Sequence, residues 1–107
     1  MNDLCQVQIT APDPDWLLGF GRRLVADRLA AAVHVHAPIR AIYVWQGETK
    51  DHEESRITLH TRTALVPAIS ARLDAEHPYE VPGIVALPIV ASSHAYAAWV
   101  REQTKSE

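Results

Sequence analysis

The sequence is short of several residue types, and each shortage removes a class of function. Its one cysteine, Cys5, excludes an internal disulfide and an all-thiolate metal site. With only four glycines, it offers no glycine-rich phosphate loop. Lysine occurs only at Lys50 and Lys105, the arginines are scattered, and the formal net charge is −3. No basic stripe is therefore present to neutralise a phosphate backbone, and no nucleic-acid partner is expected. No apolar run approaches the roughly 20 residues of a membrane span, and the opening MNDLCQVQI lacks the basic segment and apolar core of a secretory leader. A soluble, cytoplasmic protein without a membrane partner is the expectation. What is present is ordinary for a globular chain: 48% hydrophobic and 21% charged residues over 107 positions. That length suits one domain, residues 1–107, with a core of its own.

Alternation along residues 4–10, LCQVQIT, puts Cys5, Val7 and Ile9 on one face and Gln6, Gln8 and Thr10 on the other, as in a half-buried strand. Asp13 and Pro14 then form a helix start, a capping carboxylate followed by a residue that needs no amide hydrogen. Leu17, Leu18, Gly21, Leu24, Val25 and Leu29 share one helical arc, and the alanines at 30–32 are expected to carry the helix to its end. The β-branched and aromatic stretch 33–47 follows, with Pro38 marking an edge or a bulge. A polar turn, GETKDH, should lead into a strand from Glu53 to Arg62, where Ser55, Ile57, Leu59 and Thr61 share a face. The two strands form a hairpin longer than the usual arm of roughly 5 to 6 residues. Its outer part carries Tyr43, Val44 and Trp45, so it overhangs a domain of this size and needs cover, most simply from another subunit. Thr63 is expected to cap a second helix bearing Leu65, Val66, Ile69 and Leu73, with Pro67 tolerated in its first turn. A strand over GIVALPIV and a last helix capped by Ser92 or Ser93 complete the chain. The order β-α-β-β-α-β-α predicts an α+β fold, a ferredoxin-like βαββαβ sandwich with an extra C-terminal helix.

Candidate chemistry rests on the histidines. Pro78 pushes His77 out of helical geometry, so His77 is expected to end the second helix and meet its terminal carbonyls; the alternative is a ligand or acid–base role held in a rigid loop. His34 and His36, at i and i+2 on a strand, share a face and could chelate a metal, with His60 joining from the next strand. His52 and His94 are expected to be solvated, in a turn and at a helix start. Glu53 and Glu54 are adjacent and point to opposite faces, so they form no carboxylate pair and are expected to be solvated. Tyr43 and Trp45 share a face as packing residues. No nucleophile motif is present, and no enzyme activity is expected.

Several pieces occur together at characteristic distances: TAPD, RLAAAV, IYVWQG, Glu54 with HTR, HPYEVP, LPI and YAAWV. In these the chain resembles the CutA family of divalent-cation tolerance proteins from about Val7 to Arg101. The resemblance implies a PII-like homotrimer in which long hairpins pair with neighbouring subunits. It also implies a non-enzymatic role in divalent metal ion tolerance, or a signalling or scaffold role with a small molecule or partner protein bound between subunits. Carried over position by position, the cleft residues are Trp45, Glu54, His60, His77, Tyr79 and Trp99. The chain departs from the family at Gly83, where glutamate is usual, and at His60, where lysine is usual. Ala32 and Ile9 stand where some members have cysteine. No cofactor is required, and any bound divalent ion would be Zn²⁺ or Cu²⁺ held by imidazole and carboxylate rather than Cu⁺ held by thiolate.

Overall fold

The computed structural model describes residues 3–105. Its elements are β1 (Leu4–Ala11), α1 (Pro14–Ala26), β2 (Ala32–Trp45), β3 (Glu48–Arg62), α2 (Val66–Glu76), β4 (Ile84–Pro88) and α3 (His94–Gln103). The strands make one antiparallel sheet in the order β2-β3-β1-β4. This is the expected α+β, ferredoxin-like order, with α3 as the added helix.

The alternation in β1 and β3 decides which face is covered. Val7, Ile9, Ile57 and Leu59 are fully buried and pack against Leu17, Phe20 and Leu24 of α1 and Ile69 and Leu73 of α2. Val25, expected on the buried arc, is 41% exposed, and Phe20 takes its place in the core. A second, smaller cluster joins Leu4, Ala31 and Val100. It brings α3 to the side of the sheet from which His60 and Arg62 project, since Tyr96 contacts His60 and Arg62 donates to the Arg101 carbonyl at 2.7 Å.

The helix boundaries follow local chemistry with two exceptions. Asp13 caps α1 by accepting from the Asp15 amide at 2.9 Å, with Pro14 in the first turn, and Ser93 caps α3 by accepting from the Tyr96 amide at 3.1 Å. The alanine run, however, does not extend α1. The helix stops at Ala26, Arg28 takes a left-handed φ of 61°, and the amides of Arg28 and Leu29 close back on the Val25 and Leu24 carbonyls. That is a Schellman closure with arginine where glycine is usual. The Arg28 side chain donates to the Glu102 and Gln103 carbonyls at the end of α3, which holds it in that conformation. The second exception is α2, which has no side-chain cap; a 3-10 turn over Thr63–Leu65 leads into it instead.

β2 bulges between His36 and Ile39, at Pro38 and on the sheet edge, as the proline implied. The hairpin turn is tighter than expected. Trp45 pairs with Glu48, and Gln46 and Gly47 turn the chain with φ of 51° and 81°, the left-handed pair that suits the twist of a hairpin. β3 therefore begins at Glu48 rather than Glu53. The polar run Thr49–His52 reads as a loop because this part of the hairpin lies beyond the two-layer core and shows no apolar alternation. β1 ends opposite Ser55, so the hairpin continues past it without a third strand. The molecule is drawn out to 44 × 25 × 21 Å, with Ile42 and Val44 on the overhang 67% and 69% exposed.

Candidate functional site

The base of the overhang is where the chemistry collects. α2 ends at Glu76, and His77 adopts extended backbone ahead of Pro78 while its amide still reaches the Leu73 carbonyl at 2.8 Å. The imidazole does not meet the helix's carbonyls. Its Nδ1 accepts from the Tyr79 amide at 3.0 Å, which leaves Nε2 to donate to the Thr10 carbonyl of β1 at 2.8 Å. Trp16 stands edge-on at 5.3 Å. Two hydrogen bonds of one buried ring thus fasten the α2–β4 loop to the end of β1, and this fixes where Tyr79 goes.

Tyr79 reaches across the end of β1 to β3. Its hydroxyl donates to Glu54 Oε2 at 2.7 Å, and the same oxygen accepts from His52 Nε2 at 2.8 Å. The Tyr43 hydroxyl lies 3.4 Å from that nitrogen. Glu54 is only 5% exposed, which corrects the expectation that it is solvated. A buried carboxylate is tolerable only with donors in place, and here they come from Tyr79 and His52. Burial, the hydrogen bond with Glu54 and that with Tyr43 push the Tyr79 phenol well above its ordinary ionisation range, so it remains a donor. His52, expected in a solvated turn, is instead a strand residue of this cluster.

In front of the cluster is a cleft of about 620 Å³ lined by Tyr43, Trp45, Lys50, His52, Tyr79 and Glu80 among others. Lys50 is tied to Glu48 at 3.1 Å. On the far side, Glu54 borders a groove with Pro12, Pro38 and Glu53.

The six carried-over residues do not all meet in one chain. Trp45 and Tyr79 line the cleft, Glu54 lies behind it and His77 supports it. His60 and Trp99 sit elsewhere: from His52 to His60 along β3 is roughly 26 Å at about 3.3 Å per residue. His60 donates from Nε2 to Gln6 Oε1 at 3.0 Å and accepts at Nδ1 from the Tyr96 hydroxyl at 2.5 Å, while Tyr96 and Trp99 lie 5.6 Å apart, ring to ring. Burial, with a smaller contribution from His34, holds the His60 imidazole below its ordinary value. His34 is 5.6 Å from His60, ring to ring, but both His60 nitrogens are engaged, and His36 lies opposite Arg56. Among the described residues no three His, Cys, Asp or Glu side chains come together as a metal site.

Two cleft residues, Tyr43 and His52, escaped the sequence reading as functional groups. The signal for them is the hairpin register. With Trp45 opposite Glu48, Tyr43 faces Lys50 and Ala41 faces His52, and His52 and Glu54 then share a face at i and i+2.

Fold and site together define an α+β protein with a four-stranded antiparallel sheet and a polar–aromatic cleft at the base of a projecting hairpin. A family model described as CutA1 divalent ion tolerance protein matches residues 5–103. The chain is 40% identical over 98 residues to the divalent-cation tolerance protein CutA of Thermus thermophilus, covering 92% of this chain and 95% of that protein. It is 35% identical to human protein CutA, over 92% of this chain but only 55% of the longer human protein. A solved Thermus thermophilus structure, titled divalent cation tolerance protein, superposes with a TM-score of 0.91 at 38% identity over 95% of this chain and 99% of the other. The chain belongs to the CutA1 divalent ion tolerance family. Among the described residues no helix is long and apolar enough to cross a membrane.

Proposed function

We propose that the chain acts as a homotrimeric, non-enzymatic protein of divalent-cation tolerance, working in the cytoplasm and presenting the Tyr43–Trp45–Tyr79 cleft as a ligand-binding site. The observation that carries this reading is the overhang. One subunit leaves Ile42 and Val44 uncovered on β2 and Val85, Leu87 and Val90 uncovered on and after β4, at the two free edges of one sheet. Exposed apolar edges of this kind favour association with another chain. Two complementary edges on each copy suit a closed ring, which would also bring a neighbour's residues toward the cleft. Sedimentation at micromolar concentration should give a trimer without monomer; a clean monomer overturns the reading.

A directly bound divalent ion would draw ligands from more than one chain, because among the described residues no three His, Cys, Asp or Glu side chains come together. Zn²⁺ or Cu²⁺ on imidazole and carboxylate is the fitting chemistry, with His34 and His36 as the exposed imidazole pair. Binding should be lost on acidification, since protons compete for the ligand nitrogens. The double variant His34→Ala, His36→Ala should abolish it; unchanged affinity removes the pair. The single thiol contributes nothing here, because Cys5 is 1% exposed and burial disfavours its thiolate.

A further inference from the structure

The charge balance of the cleft points to one class of ligand. Glu54 is a buried carboxylate that no lysine or arginine pairs with among the described residues; its donors are a phenol and an imidazole, both on Oε2, and Oε1 accepts from no described residue. Glu54 stands behind the cleft, while Glu80 is on its wall and forms no ion pair among the described residues; the one ammonium there, Lys50, is shared with the exposed Glu48 at 3.1 Å. The remaining walls include the rings of Tyr43, Trp45 and Tyr79, whose faces carry negative electrostatic potential.

We infer that this cleft is a receptor for an organic ammonium ion, its positive head over the rings of Tyr43, Trp45 and Tyr79 and in the field of Glu54 and Glu80. The inference rests on the reading of the cleft as a binding site and adds the ligand's charge and character. An anion would meet the Glu80 carboxylate on the wall and the field of Glu54 behind it, with the one ammonium, Lys50, shared with Glu48. A hard metal ion would find too few ligands, since Glu80 is the one carboxylate on the wall and no three His, Cys, Asp or Glu side chains come together among the described residues. A neutral apolar molecule would cover Glu80 without compensating its charge, which is costly in a desolvated site. An alkyl- or arylalkyl-ammonium satisfies both the rings and the carboxylates, and its apolar tail fits a cleft of about 620 Å³.

The test uses the intact protein and three matched probes: 2-phenylethylammonium, 2-phenylethanol and 3-phenylpropionate. Binding is followed by calorimetry and by NMR shifts of the Trp45 indole and the Glu80 amide. The ammonium should bind about tenfold or more tighter than the alcohol, the scale of a desolvated cation–π contact, and its affinity should fall with added salt. Glu80→Gln, an exposed substitution, and Glu54→Gln, which keeps an acceptor for Tyr79, should each narrow the preference for ammonium over alcohol. Trp45→Leu should weaken both probes together. Equal binding of the alcohol, or tighter binding of the carboxylate, at Trp45 and Glu80 overturns the charge assignment and leaves the binding cleft standing. Silence of both residues toward all three probes overturns the cleft reading as well.

Discussion

The phenol of Tyr79, on the loop after α2, donates to the buried carboxylate of Glu54 on β3 at 2.7 Å. This bond closes the loop over the base of the hairpin and leaves Glu54 dependent on a residue 25 positions away in sequence. Tyr79→Phe keeps the ring and removes the donor, so it should cost about 1.5–3 kcal/mol, the scale of a hydrogen bond to a charged group. Equilibrium denaturation at neutral pH measures it. The folded state raises the Tyr79 ionisation above its ordinary value of 10.0, so folding holds this proton more tightly than unfolding. Its contribution is therefore complete below pH 10 and should decay as pH climbs beyond that value. Absorbance titration of the phenolates, compared in wild type and Tyr79→Phe, shows whether the late-ionising group is this one.

His77 supports the same loop through two bonds, one accepted from the Tyr79 amide and one donated to the Thr10 carbonyl. His77→Ala leaves both partners without it and should cost about 2–3 kcal/mol at roughly 1–1.5 kcal/mol for each bond. His77→Asn, which can still donate and accept, should recover part of the loss. Hydrogen exchange at the Tyr79 amide should accelerate in the alanine variant; unchanged protection there would separate His77 from loop anchoring.

Gly21 of α1 faces Val33 of β2. A Cβ at position 21 would stand 2.9 Å from Val33 Cγ1, on a side chain whose branched χ1 gives little room. Gly21→Ala gains about 1 kcal/mol of helix propensity but incurs overpacking of about 1–3 kcal/mol. The net change should be a loss, read as a lower denaturation midpoint. Gly21→Ala combined with Val33→Ala should recover helix propensity without the clash.

Asp3 and Arg101 join the start of β1 to α3 by two bonds of 2.7 and 2.9 Å. The hydrogen bond from Arg101 is the main cause that holds the Asp3 carboxyl at about 2. A carboxylate lowered on folding contributes above its ordinary value of 3.8 and loses that contribution as pH falls toward 2. Asp3→Asn should therefore flatten the stability curve between those two values and lower stability at neutral pH by the same amount, a small one because the pair is solvent-screened. An acid titration followed by circular dichroism decides it.

His60 works in the opposite surroundings, between Gln6 and Tyr96. Burial lowers its affinity for a proton relative to the ordinary value of 6.5, so its contribution is present above that pH and is lost as pH falls below it. Docking of α3 should loosen in mild acid, and Tyr96→Phe should cost about 1 kcal/mol at neutral pH. Hydrogen exchange across α3 at two pH values, with and without His60→Gln, measures this; identical protection in the variant would remove His60 from the acid response.

Much of this architecture is written in local chemistry. The period-two runs in β1 and in the inner part of β3 state which side chains face the helices, because a strand has only two faces and one of them must be apolar. Asp13–Pro14 and Ser93 mark helix starts through orphan amides that any observer of the sequence can place. Pro38 marks the bulged edge of β2, since it has no amide to give a ladder. The overhang is legible from arm length alone.

Other features depended on closure in three dimensions. The stop of α1 at Ala26 runs against helix-favouring alanines and depends on Arg28 being held by carbonyls at the far end of the chain. Glu54 looks solvated beside Glu53, yet it is buried, because the loop anchored by His77 places a phenol on it from across the end of β1. His60 and Trp99, which the family resemblance groups with Trp45 and Tyr79 in a cleft between subunits, lie toward the other end of the sheet within one chain. Periodicity reports which face a residue occupies. Which residues meet there is decided by non-local pairing and loop closure, and that is why the cleft could be seen only in the folded chain.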